Sequence, residues 1–81
     1  MNSYVFWIVY DTEVEESISE SVEYQARNFK QALSYLLDPN YHPSKYVIPK
    51  DFEIHLGPTL DANPHLTQED ISYLKSLDYA F

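Results

Sequence analysis

Six carboxylates gather in the first third of the chain with no base among them: Asp11, Glu13, Glu15, Glu16, Glu20 and Glu23. Clustered carboxylate oxygens are the donor set of a hard cation. Their spacing does not fit a calcium loop. Counted from Asp11, the sixth position is Glu16, where such a loop needs glycine, and the twelfth is Val22, where it needs a bidentate glutamate. Carboxylates that alternate along an extended strand recur about every 6.7 Å and loosely imitate a phosphate backbone. The acids therefore predict electrostatic docking onto a basic surface and no metal site.

Other reactive groups are few. His42, His55 and His65 are the only imidazoles, too far apart for a short metal-binding motif, and there is no cysteine to supply a thiolate, a disulfide or a sulfur ligand. His55 is expected on the polar side of a strand beside Glu53. Backbone that approaches a phosphate or a nucleophile closely needs several glycines, and this chain has one. No Gly-x-Ser-x-Gly elbow, phosphate-cradling loop or dinucleotide fingerprint occurs. The reading predicts no catalytic residue, no cofactor and no enzymatic activity.

Aromatic residues are plentiful: eight Tyr, four Phe and one Trp. A tyrosine offers a large apolar ring and a hydrogen-bonding tip at low rotamer cost, which suits both small cores and interfaces. Tyr4, Tyr10, Tyr24 and Tyr35 lie on periodic faces and are expected to complete the core. Tyr41 and Tyr46 lie in a proline-rich stretch where no pattern requires them inside, so they join Trp7 and the acids as partner-binding candidates.

These residues must be positioned by a small α+β fold. Tyr4 to Tyr10 is a run of β-branched and aromatic residues, which predicts a central strand with both faces largely covered. Tyr4, Phe6, Ile8 and Tyr10 point one way and Val5, Trp7 and Val9 the other. Asp11 to Ser21 reads as an acidic connection, and Val22, Tyr24 and Ala26 alternate with polar residues as a returning hairpin strand. Asn28 can cap a helix carrying Phe29, Ala32, Leu33, Leu36 and Leu37 on one face, with Gln31 reaching back. Three prolines make Pro39 to Pro49 an ordered loop. Phe52, Ile54 and Leu56 alternate in a third strand ending at Gly57-Pro58, followed by a polar connection from Thr59 to His65. Thr67 and Asp70 form a capping box for a last helix, whose stripe Ile71, Leu74, Leu77 and Phe81 docks even the final residue.

The predicted order is strand, strand, helix, strand, helix. A crossover through the first helix makes strands two and three parallel with strand one between them, giving a three-stranded mixed sheet with two helices on one face. Nothing obvious then covers the opposite face. An uncovered apolar patch predicts a partner surface or a homodimer interface, unless the loop from Pro39 to Pro49 folds over it.

Charge narrows the partners. The formal net charge is −8 over 81 residues. Residues 1–23 hold six acids and no base, residues 24–50 four bases and one acid, and residues 51–81 six acids and one base. Such a chain repels nucleic acid and anionic lipid at long range and attracts basic proteins. The seven-residue apolar run is far short of the roughly 20 residues of a membrane span, and the start lacks the basic side chain of a secretory signal. Absence of cysteine fits a reducing compartment, so the cytoplasm is the expected location. The resulting expectation is a non-enzymatic protein-protein interaction module that inhibits a larger, basic-grooved partner by nucleic-acid mimicry, as counter-defence proteins of phages and mobile elements do. The alternative is a structural, homodimeric accessory domain whose acids serve solubility alone.

Overall fold

The computed structural model describes residues 1–14, 16–38 and 51–81. Strand β1 (Asn2–Tyr10) and strand β2 (Ile18–Ala26) form a hairpin, in continuous antiparallel register from Asn2 opposite Ala26 to Tyr10 opposite Ile18. At the base of its connection the Asp11 carboxylate accepts the Ser17 amide at 2.6 Å, and Ser17 adopts a left-handed φ of 55°. Helix α1 (Phe29–Leu36) follows. Asn28 caps it by accepting the Gln31 amide at 2.8 Å, while the Gln31 side chain reaches back one residue further than expected, to the Arg27 amide at 2.7 Å.

Strand β3 (Glu53–Ile54) pairs antiparallel with β1 at Ile8 and Val9, so the sheet order is β2-β1-β3, with β1 central as the sequence predicts. Helix α2 (Leu56–Ala62) and helix α3 (Gln68–Lys75) complete the chain. The Thr67–Asp70 capping box forms, with Glu69 and Asp70 in the first turn and Lys75 in the last, each charge on the side that suits the helix dipole.

The structure departs from expectation in several places. The acidic connection ends before Ile18 and not at Ser21, since residues 18–21 are the first half of β2, paired opposite residues 7–10 of β1. The sheet is not mixed in its strand ladders: β2 and β3 run in the same direction, but β1 lies between them, so both ladders are antiparallel. A single parallel bridge, Ile54 to Ala80, is found instead at the outer side of β3. There are three helices and not two among the described residues, because the supposed connection after Gly57-Pro58 is α2. Proline lacks an amide hydrogen that a first helical turn does not use, so Pro58 fits the first turn of this helix, two residues after its start at Leu56, although Gly57-Pro58 is a strand-ending signal by sequence. Finally, α1 stops at Leu36, which leaves Leu37 exposed and off the core face.

The core lies on one face of the sheet. Tyr4, Phe6, Ile8 and Tyr10 of β1, Val22, Tyr24 and Ala26 of β2, Phe52 and Ile54, four residues of α1 and Leu74 of α3 are all buried. Rings knit it together: Phe29 lies 5.6 Å from Phe6 and 6.0 Å from Tyr4, centroid to centroid, and Tyr24 lies 6.2 Å from Phe6. The Tyr24 hydroxyl is buried there without a hydrogen-bond partner among the described residues, and burial pushes its pKa up to about 12. The last residues do dock, although as main chain and not as a helical stripe. The Ile54 amide donates to the Tyr79 carbonyl at 2.7 Å, the Phe81 amide to the Ile54 carbonyl at 2.9 Å, and the Leu56 amide to the Phe81 carbonyl at 2.8 Å. Among the described residues, no helix is long and apolar enough to cross a membrane.

Candidate interaction surface

The side of the sheet opposite the core carries Ser3, Val5, Trp7 and Val9 from β1 and Ser19, Ser21, Glu23 and Gln25 from β2. Strand alternation fixes this division, since the even residues of both strands face inward. The β1 residues here are half-buried, and the β2 residues are exposed. Val5, Trp7 and Val9 thus form an apolar stripe along the middle of the sheet. Glu23 stands directly across from Val5, and Glu53 across from Val9. Glu23 also accepts a short hydrogen bond from the Ser3 hydroxyl, which orients its carboxylate beside the stripe.

The stripe stays in place because the second edge of β1 is closed by an unusual device. Beyond the two residues paired with β3, the outward main-chain groups of Val5 and Trp7 would be buried without partners. Helix α2 supplies them from side chains. The Trp7 amide donates to the Thr59 hydroxyl at 3.0 Å and the Val5 amide to Asn63 Oδ1 at 2.9 Å, while Asn63 Nδ2 donates to the carbonyls of Val5 and Thr59 at 2.6 Å each. The remaining Trp7 carbonyl accepts the His55 amide at 2.8 Å. Thr59 and Asn63 are one helical turn apart, about 6 Å along the axis, which matches the roughly 6.7 Å between alternate strand residues. Both side chains are at most 2% exposed.

The acidic candidates separate into three places. Asp11, Glu13 and Glu16 are exposed in the hairpin connection. Glu23 lies on the open face. Glu20 lies on the core side of β2, where it accepts the Tyr10 hydroxyl at 2.7 Å, so it is not part of the open acidic face. Glu15, Tyr41 and Tyr46 lie outside the described residues, as does the loop from Pro39 to Pro49 that was weighed as a cover for the open face. The one ion pair among the described residues, Lys30 with Glu69 at 4.0 Å, joins α1 to α3, away from the hairpin acids. Lys30 also sits 5.2 Å from the Tyr73 ring. Two of the chain's few bases, Arg27 and Lys30, are thus placed at the start of α1 and leave the hairpin's negative field unopposed by any ion pair among the described residues.

Three residues matter that sequence reading assigned to a connection or to another role. Thr59 and Asn63 were placed in a polar loop. His55 is the residue before α2, and its ring stacks on Phe81 at 5.0 Å with an interplanar angle of 7°. A further feature was not anticipated: an open cleft of about 350 Å³ lined by Leu37, Asp51, Phe52, Glu53, Asp78 and Tyr79. Among the described residues the lining combines three acids, Asp51, Glu53 and Asp78, with Leu37, Phe52 and Tyr79, a composition compatible with the aliphatic stem and charged head of a basic side chain. Among the described residues, no group of three His, Asp or Glu side chains is placed to hold a metal ion. Comparison with known proteins yields no match to a family model, a curated protein or a solved structure.

Proposed function

We propose that this chain is a non-enzymatic interaction module that binds and inhibits a larger protein with a basic groove, its carboxylates standing where the partner's nucleic-acid phosphates would lie. The observation that carries the reading is the juxtaposition of an apolar stripe, Val5, Trp7 and Val9, with carboxylates on the same sheet face and in the adjoining hairpin that form no ion pair among the described residues. Tryptophan at the centre of such a face is a typical anchor, and carboxylates around it steer a basic partner and discriminate against acidic ones. The acidic cleft at Phe52 and Tyr79 adds a second seat for a basic side chain.

The test is capture from extract of the native cell at low salt on the immobilised chain, followed by elution with salt. The reading expects basic, nucleic-acid-binding proteins to be retained, to be released by salt, and to lose their nucleic acid when the free chain is added. Retention should fall for Glu13→Gln/Glu16→Gln/Glu23→Gln and for Trp7→Ala. Equal retention by both variants, indifferent to salt, would contradict it.

The half-buried apolar stripe also favours a second reading, a homodimer joined through this face with acids serving solubility. Size-exclusion chromatography with light scattering separates the two. The inhibitor reading expects a monomer, and the accessory-domain reading a dimer that Trp7→Glu dissociates.

A further inference from the structure

The two long edges of the sheet are treated differently. On the β3 side, Thr59, Asn63, the His55 amide and the terminal residues 79–81 satisfy the outward main-chain groups of β1 and β3. On the other side β2 is the edge, nine residues long, with no proline, lysine or break in register. Because the odd residues of β1 turn their main-chain groups toward α2 and β3, its even residues pair with β2. The register then sends the N–H and C=O groups of Ser19, Ser21, Glu23 and Gln25 outward, away from β1. Among the described residues nothing accepts or donates to them.

Long edges of this kind are templates for another strand, and natural proteins usually blunt them. This one carries two acids and no base: Glu23 on the open face and Glu20 on the core side. Next to it the hairpin adds Asp11, Glu13 and Glu16. A second copy would bring an equally acidic edge, with a net charge of −8 on each chain. A basic strand meets the same edge with opposite charge.

We propose that β2 receives an extended, basic segment of the partner as an added strand, with main-chain hydrogen bonds at Ser19, Ser21, Glu23 and Gln25 supplying affinity and Glu23, on the face opposite the core, selecting lysine or arginine opposite it. This docking mode rests on the reading of the chain as a binder of basic proteins, and it names the element that does the binding.

The experiment is amide exchange followed by nuclear magnetic resonance on the full chain. The probe is a peptide of alternating lysine and valine, matched to the nine residues of β2. Its twin is N-methylated on the residues that would face the edge. In the free chain the amides of Ser19, Ser21, Glu23 and Gln25 should exchange at least about tenfold faster than those of Glu20, Val22 and Tyr24. The peptide should slow the four outward amides by about tenfold or more, and the N-methylated twin, with the same charge, should not. Ser21→Pro removes only an outward amide, which an edge strand tolerates, and should abolish the protection while leaving the fold intact.

Peptide binding that leaves the four amides unprotected, binding unchanged by N-methylation, or no binding at low salt overturns the added strand. Protection of the same amides without peptide, rising with protein concentration, assigns the edge to a second copy and also overturns it. Peptide protection that survives high salt and Glu23→Gln keeps the added strand and removes the charge-based reading on which the partner's identity rests.

Discussion

Asn63 behaves as a piece of strand carried on a helix, because its amide both accepts from and donates to Val5. Asn63→Ala would leave two main-chain groups of Val5 buried without partners and should cost about 3 kcal/mol in urea denaturation. Thr59→Val, nearly the same shape, strands only the Trp7 amide and should cost about 1–2 kcal/mol. Neither residue was legible as structural in the sequence. Both sit among Gly57, Pro58 and Pro64, whose local chemistry reads as a loop, and their role is set by the unmet hydrogen bonds of a strand more than 50 residues away. Tyr24 runs the other way. Its hydroxyl is buried without a partner among the described residues, so Tyr24→Phe should raise stability by about 1 kcal/mol. The same burial favours the neutral phenol. The folded chain holds this proton up to about pH 12, whereas an unfolded chain releases it around 10.0, so the contribution is intact below about 10 and is lost as pH rises through about 12. Burial also raises Tyr79, so ultraviolet titration of phenolate should show late-titrating tyrosine in the wild-type chain and lose the component near 12 in Tyr24→Phe.

At the scale of elements, β1, α1, α3 and the second half of β2 were readable because each has its own local signal: period-two alternation in Val22-Glu23-Tyr24-Gln25-Ala26, an Asn28 cap, and the Thr67–Asp70 box; the first half of β2 was not, because Ser19, Glu20 and Ser21 carry no apolar residue to set them apart from the acidic connection. Strand three was half readable. The alternation correctly sends Phe52 and Ile54 inward, but the ladder is two residues long because α2 begins at Leu56. The missing length is made up from the far end of the chain, where Tyr79 to Phe81 pair with Ile54 through main-chain groups that leave no pattern in side chains. Deleting residues 79–81 removes four main-chain hydrogen bonds, three to Ile54 and Leu56 and one from the Ala80 amide to the Leu77 carbonyl, together with the Phe81 ring from His55, and should destabilise the fold by about 2–4 kcal/mol in the same denaturation assay. The hairpin connection holds a smaller reserve. Ser17 pays for a left-handed backbone that glycine adopts freely, so Ser17→Gly should stabilise by about 1 kcal/mol if the Asp11 bond to its amide is kept.

For the molecule as a whole, the division of β1 into a core face and an opposite face was legible, and the arrangement of charge on the opposite face only partly so. Alternation in Tyr4 to Tyr10 placed Trp7 opposite the core, and the structure leaves it half-buried on that side. Counting acids along the chain could not show that Glu20 turns to the core side and Glu23 to the opposite one, since that requires β2 to start at Ile18, nor that Thr59 and Asn63 close one edge while, among the described residues, β2 leaves the other open. Long-range attraction depends on exposed charge and little on such details. With a Debye length near 8 Å at physiological salt and about 3 Å at 1 M, docking led by the hairpin acids and Glu23 must weaken as salt rises. The most direct measurement is therefore the dissociation constant for a captured basic partner across a salt series, with the wild-type chain and Glu13→Gln/Glu16→Gln/Glu23→Gln side by side. The account predicts wild-type affinity falling by about tenfold or more between low and high salt, with the variant weaker at low salt and its line flatter. Two coincident lines, or a wild-type affinity that ignores salt, would contradict it.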